Sequence, residues 1–268
     1  MTTYGLRKLT SGFVLAIAVS SNPIVASPNP NQVNIDSQVL KEQRTLRVLL
    51  PESYDGSQNR FPVLYLLDGE WSFEKFSPVV KSLIREGSIP ELIIVSVENI
   101  DEHTRLWDFT PTGVEKYPGS GGADRFLTFL KEELVPYVDN QYRTSSVRLI
   151  CGHSLAGLMS TYAFLNHPDL FSGSIASSPS FSWDKQLLVR TLEDYLKRGS
   201  FQDRFIYLAV GSEDFPTYLE AMARFVPIME KAAPAGLRWK YTLYPNEDHE
   251  TMPDRSFPDG LKLFFNRR

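Results

Sequence analysis

Apolar positions in this chain fall into short runs of two kinds. At 33–40 and 44–50 they alternate with polar residues, which is typical of strands with one exposed face and predicts an antiparallel pair. Later runs are almost wholly apolar, as expected of parallel strands that are buried on both faces. Four such runs lie at 61–67, 92–97, 147–151 and 205–210, and a weaker strand at 173–177 and a last one at 239–244 complete the pattern.

Between these runs, apolar residues recur at helical spacing. The predicted helices span 73–84, 125–138, 156–165, 185–197, 218–232 and 258–265. This alternation of strands and helices predicts an α/β fold with a mostly parallel, eight-stranded sheet flanked by helices. One long connection, 101–124, is rich in proline and glycine and carries no predicted element. We expect it to lie over the ends of the strands, because connections of this length are usually functional or mobile.

Composition adds limits on size and partners. The chain has 268 residues, of which 42% are hydrophobic, enough for one large core. Its formal net charge is −4 and it has no cluster of lysines and arginines, which argues against a nucleic-acid surface. We therefore expect small-molecule partners, while the oligomeric state stays open. Cys151 is the only cysteine, so intrachain disulfides are excluded.

The N-terminus has the pattern of a secretory signal peptide. Arg7 and Lys8 precede an apolar run at 13–19, and Ala26 ends a plausible cleavage region. Cleavage there would separate a signal peptide, 1–26, from a single domain, 27–268, in a secreted or periplasmic protein. The alternative is a disordered N-terminal tail. The apolar run is too short to span a bilayer, and no later stretch approaches the ~20 apolar residues that a membrane helix needs.

The run at 147–151 carries the main chemical signal. It breaks into Gly152, His153 and Ser154 and continues into a helix of small residues, the pattern of a nucleophile elbow that raises a serine hydroxyl above a parallel sheet. Glycines are needed there because the strand and the helix approach closely. Ala156 stands where the usual pattern has a glycine. The alternative is a Gly-Ser turn in an ordinary strand-helix unit.

A serine nucleophile needs a base and an acid, which follow it along the chain in this fold. His249 lies in the polar loop after the last predicted strand and is the candidate base. Asp214, in the loop after the preceding strand, is the preferred acid over the adjacent Glu213, although a helix-capping role for Asp214 remains open. The other histidines are assigned to packing or surface positions: His103, His153 and His167.

An oxyanion also needs backbone N–H donors. The Leu155 N–H supplies one, and the Glu70 N–H, in the loop after the strand at 61–67, is the candidate for the other. The Glu70 carboxylate needs a neighbouring cation, for which Arg105 is a candidate; a surface pair between Arg105 and Asp108 is the alternative. No metal-ligand spacing and no phosphate-binding loop occurs, so we expect no cofactor and no metal.

Several segments, in order along the chain, resemble the putative esterase family of α/β-hydrolases, which includes esterase D, feruloyl esterases, mycolyltransferases and siderophore esterases. The similar segments are 65–69, 105–111, 129–137, 142–144, 152–157, 177–180 with Trp183, 211–214 and His249. The resemblance is greatest to the siderophore-esterase-like members. It implies an α/β-hydrolase fold with a minimal cap, with Ser154 as nucleophile, Asp214 as acid and His249 as base. It also implies that the segment with Trp183 lies beside the site.

These observations predict a serine hydrolase that cleaves carboxylic esters through an acyl-enzyme, and a siderophore-type ester is a candidate substrate. Two alternatives stay open: acyl transfer to a sugar or lipid acceptor, and a non-catalytic relative that binds a ligand. The intact trio of nucleophile, acid and base disfavours the second. A site that is partly aromatic and partly cationic is suggested by four residues: Arg105, Trp107, Phe181 and Trp183.

Overall fold

The computed structural model describes residues 31–266, so the predicted signal peptide, 1–26, lies outside the described residues. Eight strands form one sheet in the order β1-β2-β4-β3-β5-β6-β7-β8. β1 and β2 pair antiparallel, β2 and β4 also pair antiparallel, and all other neighbours are parallel. The strands are β1 (Gln32–Ser37), β2 (Glu42–Leu49), β3 (Phe61–Leu66), β4 (Ile93–Val97), β5 (Thr144–His153), β6 (Gly173–Ser177), β7 (Arg204–Gly211) and β8 (Leu237–Tyr244). The predicted fold class is confirmed.

Helices cover both faces of the sheet, which explains why its central strands are apolar throughout. In β5, Ile150 faces one core, and Leu149 and Cys151 face the other. The helices are α1 (Gly69–Arg85), α2 (Glu102–Phe109), α3 (Ala123–Phe129), α4 (Val135–Gln141), α5 (Leu155–Asn166), α6 (Trp183–Arg198), α7 (Pro216–Ala232) and α8 (Met252–Phe265). None of the helices between residues 31 and 266 is both long enough and apolar enough to cross a membrane.

Three helical predictions need correction. The connection at 101–124 contains α2, whose first turn is capped by the Asp101 side chain accepting the Thr104 N–H at 2.7 Å. A π-helical turn at Leu130–Leu134 interrupts the helix predicted at 125–138. α8 begins six residues before Pro258, because Pro253 occupies its first turn, where a missing N–H costs nothing.

A buried ion pair fixes α2 against the sheet. The Arg44 guanidinium on β2 donates to Asp108 on α2 at 2.5 Å, and both side chains are almost fully buried. Arg44 also donates to Glu42 at 2.5 Å. The pair therefore holds the start of the long connection over the sheet, where Leu106 and Val114 line a cleft that contains Ser154. This position agrees with the expectation for the segment.

Candidate active site

Ser154 sits in a sharp turn between β5 and α5. Its backbone angles, φ 58° and ψ −120°, belong to a region that residues with a Cβ rarely adopt. A Cβ on Gly152 would lie 2.1 Å from the carbonyl oxygen of Ala156, so only glycine permits the close approach of strand and helix. These features are those of a nucleophile elbow.

Ala156 fits this turn without disturbing it. Its side chain is fully buried in the larger of the two cores, while its backbone carbonyl faces Gly152. Gly157 provides the next close contact, because a Cβ there would lie 3.1 Å from the Cα of Pro179. The departure from the usual pattern is therefore accommodated by packing.

Three side chains from three loops form one hydrogen-bonded chain. His249, in the loop after β8, has its Nε2 atom 3.1 Å from Ser154 Oγ. Its Nδ1 atom lies 3.0 Å from Oδ1 of Asp214, which follows β7. The sheet brings these residues together because the carboxyl ends of β5, β7 and β8 lie at one edge.

The carboxylate that contacts His249 belongs to Asp214, and the Glu213 side chain is exposed. Burial of Asp214 disfavours its charge, but hydrogen bonds from His249, the Ser178 hydroxyl and the Phe215 N–H outweigh burial and hold its pKa below the usual value. The carboxylate therefore stays ionised. Asp214 does not cap α7, whose N-cap residue is Phe215.

His153 packs beside this chain as a neutral ring. Burial, reinforced by the nearby His249, lowers the pKa of His153 to about 3. Its Nδ1 atom lies 3.2 Å from the carbonyl oxygen of Ser177, which can only accept, so this nitrogen carries the proton. The ring centroids of His153 and His249 are 4.4 Å apart. This position agrees with the packing role predicted for His153.

The two candidate oxyanion donors begin two helices at the same edge of the sheet. Leu155 starts α5 and Glu70 lies in the first turn of α1, where backbone N–H groups have no acceptor within the helix. The chain enters α1 through Asp68, which has a left-handed φ of 57°. Just before that turn, the Leu67 N–H donates to the carbonyl of Cys151 at 3.0 Å. This contact holds the loop beside the elbow strand.

Both predicted partners of Arg105 are wrong. Its guanidinium forms a bidentate pair with the buried carboxylate of Asp68, at 2.7 and 2.8 Å. The Glu70 carboxylate instead accepts from Asn99, through the backbone N–H at 3.0 Å and the side-chain amide at 2.9 Å. Asp108 is turned inward, toward the sheet. The reason is that Asp68, at a loop position, is fully buried and needs a cation more than an exposed carboxylate does.

Two clefts meet at Ser154 and Arg105. The polar cleft, of about 390 Å³, is also lined by Trp71, Lys75, His153, His249, Glu250 and Pro253. The aromatic cleft, of about 430 Å³, is lined mainly by Leu106, Val114, Tyr117, Trp183, Phe215 and Tyr218. An ester whose carbonyl lies at Ser154 can therefore extend one group into each cleft.

Of the three predicted aromatic residues, one lines a cleft, one lies in the core and one lies outside both. Trp183 lines the aromatic cleft, with its indole 5.3 Å from the ring of Tyr117. Phe181 is instead buried and stacked on Phe225 at 4.6 Å, so its assignment to the site is wrong. Trp107 packs on Gly122, outside both clefts.

The resemblance placed the segment with Ser180 and Trp183 beside the site, but the sequence analysis gave no role to three hydroxyl groups there. Ser178 and Ser180 follow β6, and Tyr218 lies in the first turn of α7. The serines stand directly after a predicted parallel strand, and that position was a usable signal because all such strand ends converge on one edge. Nothing in the sequence marked Tyr218. Within the described residues, no group of three or more His, Cys, Asp or Glu is placed to hold a metal ion.

Comparison with known proteins shows the family of this chain. Residues 37–253 match the family described as "Putative esterase", which is most of the chain. The chain belongs to this esterase family. A crystal structure of an IroE-like serine hydrolase from Shewanella oneidensis has the same fold, with a TM-score of 0.81 and 30% identity. That match covers 87% of this chain and 79% of the other.

Curated relatives in the family include siderophore esterases. The ferri-bacillibactin esterase BesA of Bacillus subtilis is 33% identical over 171 residues, which cover 56% of this chain but only 59% of that esterase. The siderophore triacetylfusarinine C esterase of Aspergillus fumigatus is 24% identical. That match covers 90% of this chain and 94% of the esterase. Family membership and these relatives support cleavage of carboxylic esters as the reaction class and agree with the α/β-hydrolase fold.

Proposed function

We propose that this protein is a serine hydrolase that cleaves carboxylic esters through an acyl-enzyme. The observation that carries the proposal is the hydrogen-bonded chain from Asp214 through His249 to Ser154, which ends where the two clefts meet. A serine hydroxyl is a weak nucleophile near neutral pH unless a base accepts its proton. This arrangement supplies the base and orients it.

In the proposed mechanism, Ser154 Oγ attacks the ester carbonyl carbon while its proton moves to His249 Nε2. The Asp214 carboxylate holds the imidazole in place and balances its positive charge. The Leu155 and Glu70 N–H groups donate to the developing oxyanion. His249 then protonates the departing alcohol, and water repeats the sequence on the acyl-enzyme, releasing the acid and restoring Ser154. No cofactor takes part.

We infer that the substrate is a small-molecule ester of siderophore type. The relatives named above are siderophore esterases, and the two clefts suit a ligand with an aromatic part and a polar part. Trp183 and Tyr117 offer ring contacts in one cleft. Arg105, at the junction, pairs with Asp68 through Nε and Nη2, so its Nη1 group is the one that can donate to an anionic part of the substrate.

We also propose that the protein is secreted or periplasmic. The support is the sequence pattern at the N-terminus, with Arg7 and Lys8 before an apolar run and Ala26 at the cleavage region. Expression with the native N-terminus tests this. Mass spectrometry of the exported protein should show a chain that begins at Ser27, and an uncleaved chain retained inside the cell would contradict it.

The test of function compares wild type with Ser154→Ala, using short p-nitrophenyl esters and a fluorophosphonate label. We expect hydrolysis and labelling by wild type and neither by the variant. Ser182→Ala is the matched control, because Ser182 lines the aromatic cleft without belonging to the hydrogen-bonded chain. Equal activity of wild type and Ser154→Ala would overturn the proposal. Siderophore trilactones and added sugar or lipid alcohols then test the substrate class and separate hydrolysis from acyl transfer.

A further inference from the structure

A second pair of hydroxyl groups lies beside Ser154. Ser180 Oγ is 3.4 Å from Ser154 Oγ and 2.5 Å from the hydroxyl oxygen of Tyr218. Ser180 is almost fully buried, and Tyr218 is half-buried with its ring against His249 at 5.3 Å between centroids. Neither residue has a role in the mechanism above.

Counting donors gives a single arrangement in which every contact of this group is a hydrogen bond. The Asp214 carboxylate can only accept, so His249 Nδ1 carries a proton and Nε2 of the neutral ring accepts. The single proton of Ser154 is therefore directed at His249. Because a hydroxyl has only one proton, the contact between the two serines requires Ser180 to donate to Ser154.

The same argument extends to Tyr218. In this arrangement the proton of Ser180 is directed at Ser154, so the phenol of Tyr218 donates to Ser180 in the short contact between them. The bonds thus run in one direction, from Tyr218 to Ser180 to Ser154 to His249. Donation by the phenol makes the Ser180 hydroxyl a stronger donor in turn, since linked hydrogen bonds polarise one another.

We propose that Ser180 is a further catalytic residue, which donates a hydrogen bond to Ser154 Oγ, and that Tyr218 is the positioning residue that orients and strengthens it. The proposal rests on the proposed function. At 3.4 Å the bond between the serines is weak while Ser154 is neutral. It strengthens when Oγ gains negative charge, because charge-assisted hydrogen bonds are shorter and roughly twice as strong. An interaction that is stronger in the transition state than before it accelerates the reaction.

No proton passes along this pair. During acylation the Ser154 proton goes to His249 as the bond from Oγ to the acyl carbon forms. During deacylation that bond breaks, its electron pair returns to Oγ, and His249 supplies the proton. In both steps Oγ carries partial negative charge while the Ser180 proton stays on Ser180. The contribution of the pair is therefore electrostatic.

The surrounding structure holds the pair in place. The Ser180 N–H donates to the carbonyl of Ser154 at 3.0 Å, so the loop after β6 is tied to the elbow itself. The Tyr218 N–H donates to the carbonyl of Phe215 at 2.8 Å at the start of α7. Donors that are already oriented need little rearrangement at the moment of reaction.

The test measures the second-order rate of fluorophosphonate reaction with Ser154, which has no deacylation step and requires little contact with the clefts. Ser180→Ala should react roughly tenfold more slowly. A loss of this size corresponds to the lower end of the free energy that a hydrogen bond to a charged group contributes. Tyr218→Phe should react about threefold more slowly. The double variant should match Ser180→Ala, because Tyr218 acts only through Ser180.

Two controls separate this role from a general structural effect. Ser180→Thr keeps the hydroxyl and should restore most of the rate. Tyr137→Phe removes a half-buried phenol on α4, outside both clefts, and should leave the rate unchanged. With p-nitrophenyl esters, kcat should fall and KM should change little. The proposal would be overturned if Ser180→Ala were labelled at the wild-type rate. It would also be overturned if the labelling rate of the double variant fell by the product of the two single reductions. A wild type that does not react would refute the proposed function as well.

Discussion

Gly152→Ala tests whether the close approach of β5 and α5 builds the elbow. The new Cβ would lie 2.1 Å from the Ala156 oxygen and 2.3 Å from its carbon, whereas real Cβ contacts essentially never fall below 3.0 Å. The first turn of α5 must therefore retreat by roughly 1 Å, because backbone atoms cannot rotate away as a side chain can. Overpacking of this kind costs about 2–3 kcal/mol, or roughly 5–10 °C in Tm for a domain of this size.

The same displacement moves Ser154 away from His249 and from the Leu155 N–H. Misplacement of reacting groups by about 1 Å lowers rates by roughly 100-fold. Thermal unfolding and the kcat/KM for a p-nitrophenyl ester measure the two effects in one preparation. Gly56→Ala is the matched control, because the nearest atom to its Cβ would be 4.0 Å away. If Gly152→Ala kept the Tm and activity of this control, the steric argument would be refuted.

Three further predictions concern strain, a buried pair and pH. Ser154→Gly should exceed Ser154→Ala in stability by about 1 kcal/mol, because glycine adopts φ 58° and ψ −120° freely; equal Tm values would argue against strain. Arg105→Leu should lower the free energy of unfolding in urea by about 3 kcal/mol, because it leaves the buried Asp68 carboxylate without its cation. Adding Asp68→Asn should restore most of that loss, and no recovery would contradict the assignment. Burial of Asp108, which outweighs its pairing with Arg44, raises the pKa of Asp108 to about 6, from 3.8 when unfolded. At pH values between 3.8 and about 6, Asp108 holds a proton in the folded state but not in the unfolded state, so the free energy of unfolding falls as pH rises. Relative to wild type, Asp108→Asn should therefore gain about 2 kcal/mol from pH 4.5 to 7.5 in urea titrations, and a constant difference would contradict this.

The strands were predictable because their signal is local. The run at 173–177 coincides with β6, and the run at 205–210 differs from β7 by one residue at each end. α2 was missed because its cap, Asp101, stands in a segment whose prolines and glycines indicate a loop. The π-helical turn between α3 and α4 was also missed, since no residue pattern distinguishes it from a continuous helix.

At the site, chain order was enough to select the loops. Ser154, Asp214 and His249 follow three different strands, and the parallel arrangement requires those strand ends to meet. The partner of Arg105 was not predictable in this way, because the choice among Glu70, Asp108 and Asp68 depends on which carboxylate is buried. Burial at loop positions is set by packing between elements that are distant in sequence.

The sequence by itself determined the sheet, the elbow and the order of the chemical groups, because periodicity, glycine placement and strand-loop order are properties of the chain. Only the tertiary structure decided which carboxylate contacts His249, which cation neutralises Asp68 and which hydroxyls surround Ser154. The reason is that hydrogen-bond direction and desolvation depend on a few ångströms between residues far apart along the chain. Ser180 and Tyr218 are 38 residues apart, yet their oxygens are separated by 2.5 Å beside the nucleophile.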